Sequence, residues 1–164
     1  MAIRDFIFMD LKDGRVIIKT REELAPKTVQ RIRHLVRNNF YDDLVFHRVI
    51  EGFMAQGGCP FGTGQGSSGV QLTAEFSEEP FVQGTVAMAR GAEDVNSASC
   101  QFFICLDRVE HLDNNYTIWG DVVEGMEFVD NIKKGDPKNG AVVKPDRIVK
   151  MSLAEETPIK VTWK

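Results

Sequence analysis

Cysteine is scarce in these 164 residues: the three present, Cys59, Cys100 and Cys105, are an odd number at spacings that match no zinc template. That excludes a disulfide framework as the organising principle and leaves free thiols as the simplest reading. No stretch approaches the ~20 apolar residues of a membrane span. The opening MAIRDFIFMDLKDG mixes charges into its apolar residues and has no unbroken hydrophobic segment or small-residue cleavage site. No membrane partner and a cytoplasmic location are therefore expected. Positive charge is not in excess either, since 20 Lys and Arg stand against 24 Asp and Glu for a net charge of −4. The diffuse basic field that draws a protein to nucleic acid is missing, so no nucleic-acid partner is expected. The three histidines, His34, His47 and His111, have no second histidine or acidic partner at ligand spacing. Neither a metal nor a cofactor is expected. No spacing of Ser97, Ser99, Cys100 or Cys105 against the histidines supports a nucleophile and base.

What is there is a core. With 43% hydrophobic residues over 164, the chain fits one domain, 1–164. Ile3 to Leu11 and Arg15 to Lys19 are β-branched and aromatic runs on either side of Asp13-Gly14, a hairpin signal. Pro26 then opens a helical pattern in which Val29, Ile32, Val36 and Phe40 share a face, with Lys27, Arg31, Arg33, His34 and Arg37 expected in solvent. Further strands are expected within Phe46 to Gly58, Phe81 to Ala89, Gln101 to Leu106, Tyr116 to Val123 and Asp146 to Leu153, with a second short helix over Gly125 to Gly135. Arg90 to Cys100 reads as a loop, and Ala154 to Lys164 as a tail. Gly64-x-Gly66-x-x-Gly69 copies a dinucleotide-binding fingerprint, but extended chain follows it where a helix is required. A flexible surface loop beside a groove is the better reading. Many short strands with an early and a late helix suit a mostly β fold whose sheet leaves no free edge.

The stretch FHRVIEGFMAQGG, Phe46 to Gly58, sets Arg48 among large apolar residues. Arginine is rarely buried without a partner, so Arg48 either meets a carboxylate such as Glu51 or Asp43, lies along the wall with its head in water, or is functional. Phe53, Met54, Phe103 and Leu112 read from composition as core packing, and their residue types also fit an apolar pocket. Gln56 and Gln101 are harder to explain as core.

FHRVIEGFMAQGG, the later GTVAMAR and the later QFFI closely resemble the cyclophilin family of peptidyl-prolyl isomerases, in order and over nearly the whole chain. The resemblance implies a closed eight-stranded antiparallel β-barrel capped by two α-helices, with the site on its outer face. It implies an isomerase of Xaa-Pro bonds in unfolded or flexible chains, assisting folding, with proline-containing peptides as partners and a monomeric state. Arg48 and Gln56 would be catalytic. Phe53, Met54, Phe103 and Leu112 would surround the proline ring, while Ala89, Arg90, Gln101, His111 and Tyr116 would contact the peptide. Two departures matter: His111 stands where the best-known eukaryotic members carry tryptophan, and Tyr116 where they carry histidine. The first implies weaker cyclosporin binding. The alternatives are a proline-peptide-binding module or holdase with little turnover, and a small-molecule carrier, which would need a hollow barrel.

Overall fold

The chain turns at Lys12 and Asp13, one residue before the expected Asp13-Gly14 pair, and joins β1 (Phe6–Leu11) to β2 (Gly14–Thr20) with Leu11 opposite Gly14. The computed structural model describes residues 2–158. Ile3–Asp5, expected within the first strand, is instead a 3-10 turn closed by the Asp5 N–H on the Ala2 carbonyl. Helix α1 (Pro26–Arg37) buries Val29, Ile32, Leu35 and Val36. Its N-cap position, Ala25, has no side-chain acceptor. Glu75 supplies one from a distance, accepting from the Lys27 and Thr28 N–H groups at 3.2 and 2.8 Å and placing negative charge at the helix N-terminus. Arg33 is not in solvent. It is buried and bonds the Arg4 carbonyl and the Glu155 carboxylate, so the start of the expected tail is fastened to α1. Residues 159–164 of that tail lie outside the described residues.

Strands β3 (Arg48–Ile50), β4 (Met54–Gly57), β5 (Thr85–Met88), β6 (Phe102–Cys105), β7 (Ile118–Glu124) and β8 (Lys150–Leu153) complete one antiparallel sheet, ordered β3-β4-β6-β5-β7-β2-β1-β8. The expected closed barrel is not formed. β3 and β8 do not pair with each other, and the sheet is an open, strongly curled half-barrel. The gap is crossed by residues 133–149, which meet the β3 side at isolated bridges, Val45 with Arg147 and Arg48 with Ala141, and at scattered backbone hydrogen bonds such as the Val49 N–H to the Gly140 carbonyl and the Gly135 N–H to the Val49 carbonyl, without forming a ladder. A continuous ladder fails there for a physical reason. Pro137 and Pro145 have no N–H to donate, and Gly140 and Lys144 sit at φ 79° and 53°, outside extended geometry. The second helix is also shorter than expected: α2 spans Met126–Asp130.

Alternation along the strands divides the apolar residues between two faces. Met9, Val16, Ile18, Phe46, Val49, Phe102, Ile104 and Trp119 fill the inner side. Met54, Ala87, Phe103, Cys105 and Ile118 face outward and pack with Phe81, Val109 and Leu112 in a second cluster. β5 and β6 are consequently buried on both faces, and the filled interior leaves no room for the small-molecule carrier.

Candidate active site

The sheet register sets the site. Arg48 lies opposite Gln56, Gln56 opposite Phe103, and Phe103 opposite Ala87, so one row crosses β3, β4, β6 and β5. Residues paired across strands share a face, which puts Arg48 and Gln56 beside the outer apolar cluster. Two positions along each strand, Met54 and Gln101 join the same face. The result is a cavity of about 100 Å3 lined by Arg48, Phe53, Met54, Gln56, Ala89, Arg90, Phe103, Leu112 and Tyr116. Every site residue expected from sequence is in that lining except two that border it. Gln101 lines an adjoining polar cavity with Gln56, Ala89 and Arg90, and the His111 ring packs at 5.7 Å from that of Phe53 on the rim.

Arg48 meets neither Glu51 nor Asp43, and among the described residues it has no carboxylate partner. Its Nε donates to the Asn139 carbonyl at 3.1 Å and its Nη1 to Gln56 Oε1 at 3.2 Å, with Met54 Sδ at 3.9 Å. Guanidinium is donor-only, so Gln56 must present oxygen to it and turn its amide nitrogen away. That nitrogen donates to Gln101 Oε1 at 3.1 Å, and Gln101 Nε2 donates to the Gly64 and Gly66 carbonyls at 2.8 and 3.1 Å. The carbonyls are acceptor-only, so both amides are oriented from both ends.

The glycine-rich loop is therefore pinned where a flexible one was expected. Beneath it Cys59 is fully buried, and its Sγ accepts from the Gly64 and Gly66 N–H groups at 3.3 and 3.2 Å. Burial alone would raise the thiol, but the backbone donors of Gly66, Phe61, Thr63 and Gly64 outweigh it and bring the pKa to about 7. By contrast, burial pushes Cys100 up to about 11 and Cys105 up to about 12. His47, next to Arg48, is held below the usual histidine range by burial and by the Arg48 charge.

On the far wall Phe103 stacks on Phe81 at 6.3 Å and meets Tyr116 edge-on at 5.5 Å. Arg90 lies 4.6 Å over the Tyr116 ring and donates to the Asn115 carbonyl, so its side chain ties the two sides of the groove. Leu112 and His111 ride on a turn clamped by Arg108 and Asp113, which bond through two pairs at 2.8 and 2.7 Å. Arg108, followed by the Phe81 N–H, holds the Asp113 carboxyl down at about 2. Sequence reasoning missed Asn139 and Cys59. Nothing local to Asn139 says that its carbonyl reaches a side chain 91 residues earlier.

The family model described as cyclophilin type peptidyl-prolyl cis-trans isomerase/CLD matches residues 6–153. A probable peptidyl-prolyl cis-trans isomerase of Brucella abortus is 47% identical over 92% of this chain and 83% of its own length. Peptidyl-prolyl cis-trans isomerase B of Bacillus subtilis is 40% identical over 77% of this chain and 89% of its own. Among solved structures, cyclophilin AquaCyp293 from Hirschia baltica superposes with a TM-score of 0.86 at 25% identity, covering 96% of this chain and 77% of that one. A Cryptosporidium parvum cyclophilin-type isomerase, crystallised in the presence of the dipeptide Ala-Pro, shares the fold with a TM-score of 0.82 at 24% identity, over 90% of this chain and 98% of that one. With matching blocks running in order from β1 to β8, the chain belongs to the cyclophilin-type peptidyl-prolyl cis-trans isomerases.

Proposed function

We propose that Arg48 catalyses rotation about Xaa-Pro bonds by hydrogen-bonding the prolyl nitrogen once that atom has lost conjugation with its carbonyl. The carrying observation is a guanidinium held from two sides, by Gln56 and the Asn139 carbonyl, at the mouth of a ring-sized cavity whose walls include Phe53, Met54, Phe103 and Leu112. Among the described residues its Nη2 has no partner. A planar amide nitrogen has no lone pair to offer, so the bond forms only in the twisted state and lowers the barrier without tightening the ground state. The uncatalysed barrier is about 18 to 20 kcal/mol. Acceleration by five powers of ten requires roughly 7 kcal/mol, of which one fixed donor in a water-poor site supplies about half.

Phe53, Met54, Phe103 and Leu112 hold the ring. Gln56 orients Arg48, Gln101 steadies Gln56 and contacts the peptide, and the backbone at Ala89 and Arg90 runs beside the residue before proline as an added strand does. Among the described residues the Arg90 N–H and C=O have no backbone partner, which leaves them available for that pairing. His111 and Tyr116 edge the groove. The clients are flexible or unfolded Xaa-Pro segments, and the Ala-Pro dipeptide used with the Cryptosporidium relative is the smallest such unit. In this reading the chain acts as a single monomeric domain in the cytoplasm, assisting folding without cofactor. Among the described residues no helix is long and apolar enough to cross a membrane.

Arg48→Ala is expected to lower kcat/KM by about two to three powers of ten, equivalent to ~3 to 4 kcal/mol, with peptide affinity falling much less. Phe103→Ala removes contact made in both states, so affinity and turnover fall together. Arg48→Lys stays poor, because lysine keeps charge but loses the planar fork. An alanine variant whose loss lay wholly in affinity would make Arg48 a binding residue. A wild type that binds peptides without isomerising them would leave a holdase.

A further inference from the structure

Past Arg48, away from Ala89, the groove opens into a basin of about 530 Å3 lined by His47, Thr63, Asn139, Val142 and Pro145 among others. Arg48 and Gln56 wall both this basin and the ring cavity, so the two are one continuous surface. Among the described residues no carboxylate lines it. Two of the nearest along the chain are engaged elsewhere: Asp136 accepts from the Lys138 and Asn139 N–H groups at 2.7 and 3.3 Å, and Asp146 from the Lys133 N–H at 2.9 Å and from Lys12 at 3.3 Å, while Glu51, three residues after Arg48, is exposed and outside the lining. Lys138 and Lys144, both exposed, adjoin the lining residues Asn139 and Pro145. Among the described residues the buried His47 Nδ1 has no hydrogen-bond partner. Beside Gly62 and Val142, Phe61 and Val143 are 75% and 77% exposed, more than any other large apolar side chain among the described residues. A basin that holds the Arg48 guanidinium, has lysines next along the chain and an apolar border, and is continuous with the site suits a chain that carries an acidic side chain next to an apolar one.

We propose that this basin is a second client subsite, taking a glutamate from the polypeptide beyond the proline, its carboxylate toward the cationic and amide groups and its methylenes along Val142 and Pro145. It rests on the isomerase reading above, which assigns the chain before the proline to Ala89 and Arg90 and so sends the chain after it past Arg48. An apolar neighbour of that glutamate packs on Phe61 or Val143. Because the charges are exposed and screened within about 8 Å at physiological ionic strength, the preference is moderate and salt-sensitive.

The test uses Ala-Pro peptides that either stop one residue after the proline or extend four further residues, with Glu, Gln or Lys placed at each extended position in turn. At low salt, Glu is expected to exceed Lys in kcat/KM by about threefold to fivefold at one position, and the ratio to shrink in 0.5 M salt, a concentration at which the screening length is down to about 4 Å. The double variant Lys138→Glu, Lys144→Glu should erase that ratio, and Phe61→Ser with Val143→Ser should raise KM for extended peptides only. Equal values for Glu, Gln and Lys, or a ratio untouched by the charge reversals, overturn the subsite. The short peptide reports the isomerase separately, and failure of the wild type to turn it over would overturn the underlying reading.

Discussion

At the scale of single residues, the donor chain from Arg48 through Gln56 and Gln101 to the Gly64 and Gly66 carbonyls runs in one direction only. Removing its middle leaves Arg48 with one anchor. Gln56→Ala is expected to cost about tenfold in kcat/KM, near 1.4 kcal/mol, mostly in kcat. Gln101→Ala should cost less, and a double-mutant cycle should show the two losses to be non-additive by at least ~0.5 kcal/mol. Additive losses would mean that Gln101 acts on the peptide alone. His111 sits against Phe53 at the rim, where imidazole offers less apolar area than indole. His111→Trp should tighten cyclosporin inhibition and leave turnover near wild type, checked by inhibition curves on both proteins. Arg48 stood out in the sequence because a cation among large apolar residues needs a reason, whereas Phe103 was marked only by the resemblance to the family. Cys59 did not, since the donors that set its acidity are backbone groups and no side-chain pattern records them.

At the scale of elements, the loop from Cys59 to Gly69 is folded around that buried sulfur. An unfolded thiol titrates near 9 and the folded one near 7, so between those values the unfolded chain holds a proton that the native state has released. Stability from Cys59 is then fully present above pH 9 and lost as pH falls through 7. Urea midpoints for wild type and Cys59→Ser should diverge in favour of wild type as pH rises from 6.5 to 9. A constant difference would show that the sulfur stays protonated. Cys100 and Cys105 act oppositely, keeping protons that the unfolded chain loses, but only above pH 9. Strands and the first helix were legible because alternation and the Val29, Ile32, Val36 spacing are local. The fixed loop was not, since Gln101 and Ser99 hold it from another part of the chain: Ser99 Oγ accepts from the Ser68 N–H at 2.8 Å.

At the scale of the whole molecule, the curled sheet is completed by irregular chain instead of a ladder. Sequence patterns carry strand count but not closure, and Pro137, Gly140 and Pro145 decide closure here. Gly140 at φ 79° passes so near β3 that an added Cβ would lie 2.8 Å from both Arg48 Cγ and Ile50 Cγ1. Gly140→Ala is expected to cost about 1 to 2 kcal/mol of stability through its backbone alone, lowering Tm by roughly 3 to 6 °C. It should reduce kcat/KM further at temperatures where the variant is fully folded, because the Arg48 stem must shift. Full activity in the folded variant would show that the contact relaxes elsewhere. The same seam has a consequence for biosynthesis. Arg48 leaves the ribosome 91 residues ahead of the carbonyl that fixes its Nε, an interval of about 5 to 20 s at ordinary elongation rates. Even once the last wall residue, Tyr116, has followed, the guanidinium stays unfastened until Asn139 arrives, so a growing polypeptide of this kind gains its catalytic power late and cannot hasten its own earlier prolines.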